Sequence, residues 1–238
     1  MYVSEEIEWW EYDDAAEMAA AVAGDVAFIV ESAIEARGAA VIALAGGNTP
    51  IPIYEKLASA KLNWKRVTII PTDERIVALG DPLSNVTAVA KFFLPKGARV
   101  IPIVPNALAD YRAAGRSADA LMQDLHWPLD LCLLGVGSDG HTASIFPGPD
   151  LEEALTSPNG LRALGVMPEP MPTDAPVPRV TLSLAAITTA RALMIAATGK
   201  EKRSVIELAI KQGNASAYPI GRALAGTELP VDIHWAPA

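Results

Sequence analysis

The chain holds a single cysteine, Cys132, among 238 residues. No intrachain disulfide can form, and the reducing cytosol is the expected compartment. Histidine is nearly as scarce: His126, His141 and His234 are the three, and no spacing among them resembles a metal-ligand set. No apolar run is long enough to span a bilayer, because Gly, Pro or a charge interrupts each one within about a dozen residues. The N-terminal MYVSEEIEWWEYDD is acidic and lacks the basic n-region of a signal peptide. Positive charge is in deficit, with 19 Lys and Arg against 28 Asp and Glu, a net charge of −9. The sequence pI of about 4.8 follows from that balance. Nucleic acid and anionic membranes both need a broad basic surface, so neither is expected as a partner. A small anionic ligand is still possible, provided N–H groups and a few Arg or Lys cluster locally.

What is abundant is apolar: 51% of residues are hydrophobic and the mean hydropathy is +0.25, enough for a sizeable core. AAVIALAG (39–46), VTIIPTD (67–73), LDLCLLG (129–135) and ALMIAAT (192–198) are continuous apolar runs, the mark of strands buried on both faces. RVIPIV (99–104) and VDIHWA (231–236) read as shorter strands, and RVTLSL (179–184) alternates as a half-exposed one. Helices are expected over 15–37 with a stop at Gly38, 51–60, 84–94 capped by Ser84 or Asn85, 107–125 and 199–213. The segment from Pro147 to Pro178 carries eight of the nineteen prolines and reads mostly as loop, with a strand near LRALGVM. No repeat, low-complexity tract or clear linker interrupts the chain. Strands alternate with helices through short connections. The expected fold is therefore α/β, a three-layer αβα domain with a mostly parallel, doubly wound, Rossmann-like sheet.

In such sheets ligands bind beyond the carboxyl ends of the strands. Four polar clusters fall there: GGNTP (46–50), TDER (72–75), GVGSDGH (135–141) and TGKEK (198–202). In the first, Gly46 and Gly47 permit close backbone approach while Asn48 and Thr49 add donors; it reads as an anion loop or as an ordinary strand-to-helix turn. In the second, Arg75 can grip a phosphate and Asp73 can orient a histidine or a hydroxyl; the alternative is a surface loop with an internal ion pair. His141 reads as a general base placed by a glycine-rich turn, with a capping role as the plainer alternative. Ser138 and Asp139 invite a triad reading, but near neighbours in sequence seldom meet in that geometry, and no GxSxG elbow is present. Gly135, Gly137 and Gly140 also spell the GxGxxG dinucleotide fingerprint. The acidic ribose partner it needs about twenty residues on is missing, since that region is loop. Arg179 opens a strand, and Lys200, Lys202 and Arg203 open a late helix, where cations oppose the macrodipole and are candidates to face a ligand. His126, Trp9, Trp10 and Cys132 read only as surface, core edge or core.

Taken in order from about Ala39 to Lys202, these clusters resemble the 6-phosphogluconolactonase family. ALAGGNTP resembles its glycine-rich phosphate loop, TDERIV with SNVTAVAKFFL its DERxV…SN segment, GVGSDGHTASIFPG its signature, and RVTLSL with TGKEK its C-terminal half. Two positions depart from the family pattern: Ala45 and Asn48 stand in a loop that is often SGGSTP-like, and TDERIV continues with ALGDPLSN. The resemblance implies hydrolysis of 6-phospho-D-glucono-1,5-lactone to 6-phosphogluconate without metal or cofactor. It implies His141 as catalytic acid/base, Asp73 as its polar partner, and Gly46, Gly47, Asn48, Thr49, Arg75, Arg179 and Lys202 as phosphate and sugar contacts. A glucosamine-6-phosphate deaminase/isomerase is the nearest alternative, but its GHIAFNEP and DEY patterns are matched less well than DGHTASIFP and DER. A non-catalytic sugar-phosphate sensor is the other. Such a protein carries a DNA-binding module, for which this chain lacks both length and basic charge.

Overall fold

The computed structural model describes residues 7–104 and 109–238. Its first strand, β1 (Ile7–Glu11), precedes α1 (Ala15–Arg37), which Asp14 caps through bonds of 2.8 Å from the N–H groups of Ala16 and Glu17. There follow β2 (Ala40–Leu44), α2 (Ile51–Leu57), β3 (Val67–Pro71), β4 (Asp73–Arg75) and α3 (Asn85–Phe93). The middle of the chain supplies β5 (Arg99–Val100), α4 (Tyr111–Gln123), β6 (Leu131–Leu134), α5 (Leu151–Thr156) and β7 (Ala163–Val166). The last part supplies β8 (Arg179–Leu182), α6 (Leu184–Thr188), β9 (Leu193–Thr198), α7 (Lys200–Gln212), α8 (Pro219–Ala225) and β10 (Val231–Ala236).

Seven strands form one parallel sheet in the order β1-β10-β9-β6-β2-β3-β5. Alternate residues of its strands feed two cores. Ala40, Ile42, Leu44, Leu131 and Leu133 pack against α1, α2 and α3 on one face. Val41, Ala43, Cys132, Leu134 and Ile195 pack under α4, α7 and α8 on the other. The continuous apolar runs thus are strands wetted on neither side, as their composition requires.

Three expectations need correction. TDER is not a loop: Asp73–Arg75 forms β4, which turns out of the main sheet. RVTLSL is not half-exposed and does not join the main sheet. Its strand β8 is buried throughout because it is the middle strand of a separate antiparallel sheet, β4-β8-β7, packed beneath α4. The Pro147–Pro178 segment holds the expected strand, here β7, and also α5. The N-terminal strand β1 carries no apolar run because it is the sheet edge, with Trp10 44% exposed. The expected start of the helix at Ala107 lies outside the described residues; α4 is seen from Tyr111, capped by Asp110.

The chain winds outward from β2 to β5, then crosses back to β6 and winds the other way to β10. Strands β2 and β6 are therefore neighbours across the reversal. The loops that leave their carboxyl ends, from Ala45 and from Gly135, open side by side, as a topological switch point requires.

Candidate active site

A cleft with two lobes lies over that switch point. One lobe, of about 270 Å³, is walled by the Gly46–Pro50 loop, Thr72, Asn85 and Gly135–Gly137. The other, of about 470 Å³, is walled by Ser138, Asp139, Ser144, Phe146, the Pro170–Asp174 segment and Arg179. Asp73, Arg75, Gly137, His141, Ala143, Asp174 and Lys202 line both and mark the junction.

His141 stands at this junction because its loop is folded tightly on itself. Gly140 donates its N–H to Gly137 O at 3.0 Å, and Gly137 donates to His141 O at 2.9 Å. Gly140 adopts φ +75°, and a side chain there would run into the Tyr218 ring; a side chain at Gly137 would collide with the His141 imidazole. The imidazole stacks on Phe146 with ring centroids 4.0 Å apart. Its Nδ1 meets Asp139 Oδ1 at 2.5 Å, and the same oxygen accepts the His141 backbone N–H at 3.2 Å. Burial pushes the Asp139 carboxyl upward, but the hydrogen bond and charge of His141 outweigh this and hold it below the usual range. A carboxylate on Nδ1 fixes the tautomer whose Nε2 lone pair is free, and Nε2 has no partner among the described residues.

Asp73 belongs to the cleft but is not the partner of the histidine ring. Its Oδ2 accepts from Ser144 Oγ at 2.6 Å and its Oδ1 from Thr72 Oγ1 at 3.2 Å. Its neighbour Glu74 faces the other way and caps α3. Glu74 accepts from the N–H groups of Asn85 at 2.7 Å and Val86 at 2.8 Å, from Arg75 N–H at 2.8 Å, and from Ser84 Oγ at 3.1 Å. Burial raises the Glu74 carboxyl above its ordinary value, with these N–H groups opposing the shift. Asn85 in turn donates to Asp73 O at 2.8 Å, and its carboxamide packs so closely on Gly46 that a Cβ there would overlap it. The α3 terminus thus pins both the anion loop and β4.

In that anion loop the N–H groups of Gly47, Asn48 and Thr49 donate to no other group among the described residues. Of the cations, Lys202 in the first turn of α7 is half-buried and without an ion pair among the described residues. Burial lowers its ammonium from the ordinary value, with Glu201 opposing. Arg75 lines both lobes, donates through Nη1 to Leu83 O at 2.7 Å, and keeps a buried Nε with no partner among the described residues. Arg179 reaches only the second lobe. Its terminal nitrogens hold the carbonyls of Val177 and Ala175, and burial, with Arg75 nearby, lowers it to about 10. Arg203 turns away from the cleft to Glu11 and Glu207, each at 2.8 Å, and Lys200 does not line it.

The cleft therefore combines a fixed imidazole with a free nitrogen, a loop of unpaired N–H groups, at least one unpaired cation and several carboxylates. The sequence matches the family model for glucosamine-6-phosphate isomerases/6-phosphogluconolactonase over residues 13–235. The chain belongs to this family. Among curated relatives, the 6-phosphogluconolactonase of Mesorhizobium japonicum is 36% identical over 96% of this chain and 95% of its own. That of Rhizobium meliloti is 35% identical over 95% and 97%. Among solved structures, a 6-phosphogluconolactonase from Shewanella baltica superposes with TM-score 0.89 at 30% identity, covering 98% of each chain. A monomeric glucosamine-6-phosphate deaminase superposes with TM-score 0.78 at 20% identity, which shows the shared fold.

Asp139 is the partner of the His141 ring that the sequence reading discounted, and Asp174, Asn85 and Ser144 are cleft residues that it did not single out. Only Asp139 left a usable sign in the sequence: an Asp one glycine away from the histidine, a spacing that suits a local side-chain-to-backbone bond.

Proposed function

We propose that this member of the family hydrolyses 6-phospho-D-glucono-1,5-lactone to 6-phospho-D-gluconate, the lactone-opening step of the oxidative pentose phosphate pathway, in the cytosol. The observation that carries the reading is the Asp139-held His141, with Nε2 free, at the junction of the two lobes. The 6-phosphogluconolactonases to which the chain is similar support the same chemistry.

The sugar phosphate lies with its phosphate on the Gly47–Thr49 N–H groups and Lys202, and with its ring across the junction. Asp73 orients a water beside C1. His141 Nε2 takes a proton as the water oxygen bonds to C1, and the π electrons of the carbonyl move onto its exocyclic oxygen. Backbone N–H groups of the glycine-rich loop steady that oxyanion. On collapse the C1–ring-oxygen bond breaks, His141 returns its proton to the leaving oxygen, and the new carboxylic acid ionises. The remote phosphate supplies orientation that the small reacting group cannot. The proposed steps use the imidazole, a water and backbone N–H groups, and call on no metal. The partner is a small molecule, since the net charge of −9 disfavours nucleic acid.

The test follows proton release from freshly made lactone, corrected for spontaneous hydrolysis. Wild-type turnover with at least a hundredfold loss of kcat in His141→Ala is the expected result. An inert wild type that releases ammonia from glucosamine 6-phosphate overturns the reading. Full activity in His141→Ala overturns the mechanism.

A further inference from the structure

We propose that Ser144 is a positioning residue that locks the Asp73 carboxylate to the histidine loop, and that the small antiparallel sheet exists in part to hold it there. The inference rests on the function proposed above and adds a residue to it. Ser144 lies three residues after His141 and is fully buried. Its two polar groups are aimed by different strands. Its N–H donates to Thr181 Oγ1 at 3.1 Å, and Thr181 in turn donates to Leu182 O at 3.0 Å. With the Thr181 hydrogen committed to a carbonyl, its oxygen can only accept from Ser144. The Ser144 hydroxyl is left to donate to Asp73 Oδ2 at 2.6 Å.

Asp73 and Thr181 are direct partners in the β4–β8 register. Ser144 therefore sits over a single rung of the small sheet and touches both of its residues. Ala143, just before it, is the one non-glycine residue with positive φ among those described, at +48°. That conformation is costly for a residue with a Cβ and persists only where its surroundings impose it. Here the turn is closed by Ile145 N–H to Thr142 O at 2.9 Å and tied to the end of β6 by Thr142 Oγ1 to Gly135 O at 2.9 Å. The strained turn directs His141 to the cleft and Ser144 to Asp73 within four residues of chain. The Ser144 bond occupies Oδ2, fixes the carboxylate plane and leaves Oδ1, held only by a 3.2 Å contact from Thr72, as the oxygen that faces reactants.

A double-mutant cycle on lactone hydrolysis tests this, using Ser144→Ala, Asp73→Asn and the pair. Ser144→Ala is expected to lower kcat about tenfold with KM within twofold, the loss of one charge-assisted hydrogen bond. In the Asp73→Asn background the same substitution is expected to change kcat less than twofold. Thermal unfolding of each variant establishes that the fold persists. If Ser144→Ala does not fold, Ser144→Cys, which keeps the volume and weakens the donor, takes its place in the cycle. Equal effects of the serine substitution in the two backgrounds, or wild-type kcat in Ser144→Ala, overturn the proposal while leaving the lactonase reading intact. A wild type that does not turn over the lactone overturns both.

Discussion

Replacing Asp139 by Asn isolates the contact that, in the mechanism proposed above, makes His141 a base. The oxygen–nitrogen distance is 2.5 Å, which places the charge centres of carboxylate and imidazolium about 4 Å apart. At an effective dielectric of about 20, two unit charges at that separation interact by about 4 kcal/mol. The side chains are 50% and 29% exposed, so solvent screening takes roughly half of this, leaving about 2 kcal/mol. This stabilisation is realised when the imidazole becomes charged in the transition state, and the substitution removes it there. At about 1.4 kcal/mol per tenfold, kcat falls roughly thirtyfold. A second effect adds to it. The Asn carboxamide can donate to Nδ1, which places the ring proton on Nε2 and removes the base from part of the population. A total loss of about thirtyfold to three-hundredfold follows, with KM little changed because Asp139 is not needed to hold the phosphate.

Proton release from the lactone, measured over a range of substrate concentrations, separates kcat from KM. Asp139→Ala serves as a second arm, since it removes the charge without offering a competing donor and is expected to lose less than Asp139→Asn. A kcat for Asp139→Asn within threefold of wild type would refute the argument that this carboxylate sets the state of His141. A raised KM at constant kcat would reassign Asp139 to substrate binding.

Glu74→Gln replaces an acceptor of four hydrogen bonds with a group that places an NH2 against donors, and is expected to cost about 2–4 kcal/mol. Thermal unfolding should show a fall of roughly 5–15 °C, and a shift under 2 °C would contradict the capping role. Cys132 is fully buried, and burial raises its thiol to about 12; it is expected to resist a thiol reagent at pH 8 until the chain unfolds, as an absorbance titration with and without denaturant will show. His234 is buried against Tyr12, its Nδ1 2.9 Å from the tyrosine oxygen, and burial lowers it below 6.5, with Asp25 and Asp232 opposing. The folded state therefore binds fewer protons than the unfolded state between the lowered value and 6.5. Stability held above 6.5 is lost as pH falls through that window, and denaturant midpoints in His234→Gln should show a shallower slope there.

The inner strands of the main sheet were legible because they are buried on both faces, and a strand with no wet side must be apolar at every position; the half-exposed edge strand β1 was not. The runs at Ala40–Leu44 and Leu193–Thr198 could hardly be anything else. The small sheet was not legible for the converse reason. Asp73–Arg75 is three polar residues, and its status as a strand comes only from pairing with β8, far along the chain. RVTLSL alternates as though one side met water, yet its polar positions are buried and satisfied: Thr181 by Ser144 and Leu182, Arg179 by the carbonyls of Ala175 and Val177. Alternation reports polarity. It reports exposure only where no hydrogen-bonding partner is buried opposite, and that depends on the rest of the fold.

The same logic explains which parts of the site could be read. Strand-end clusters converge because parallel strands share a carboxyl edge, so Gly46, Asp73, His141 and Lys202 were brought together by topology alone. Their pairing was not so determined. The family resemblance implied Asp73 as the polar partner of the histidine, whereas Asp139 looked too close in sequence to serve. The second inference assumes a chain that runs straight on past the strand. At Gly140 it does not: φ of +75° folds the chain back, so that one carboxylate oxygen of Asp139 meets the N–H and the ring of His141 together. Asp73 is then released from the ring and can be claimed by Ser144. The glycine that looked like part of a nucleotide fingerprint is the residue that makes a two-residue Asp–His dyad sterically possible. A side chain at that position would run into the Tyr218 ring and sit at a disfavoured positive φ, so the loop could not keep this closure.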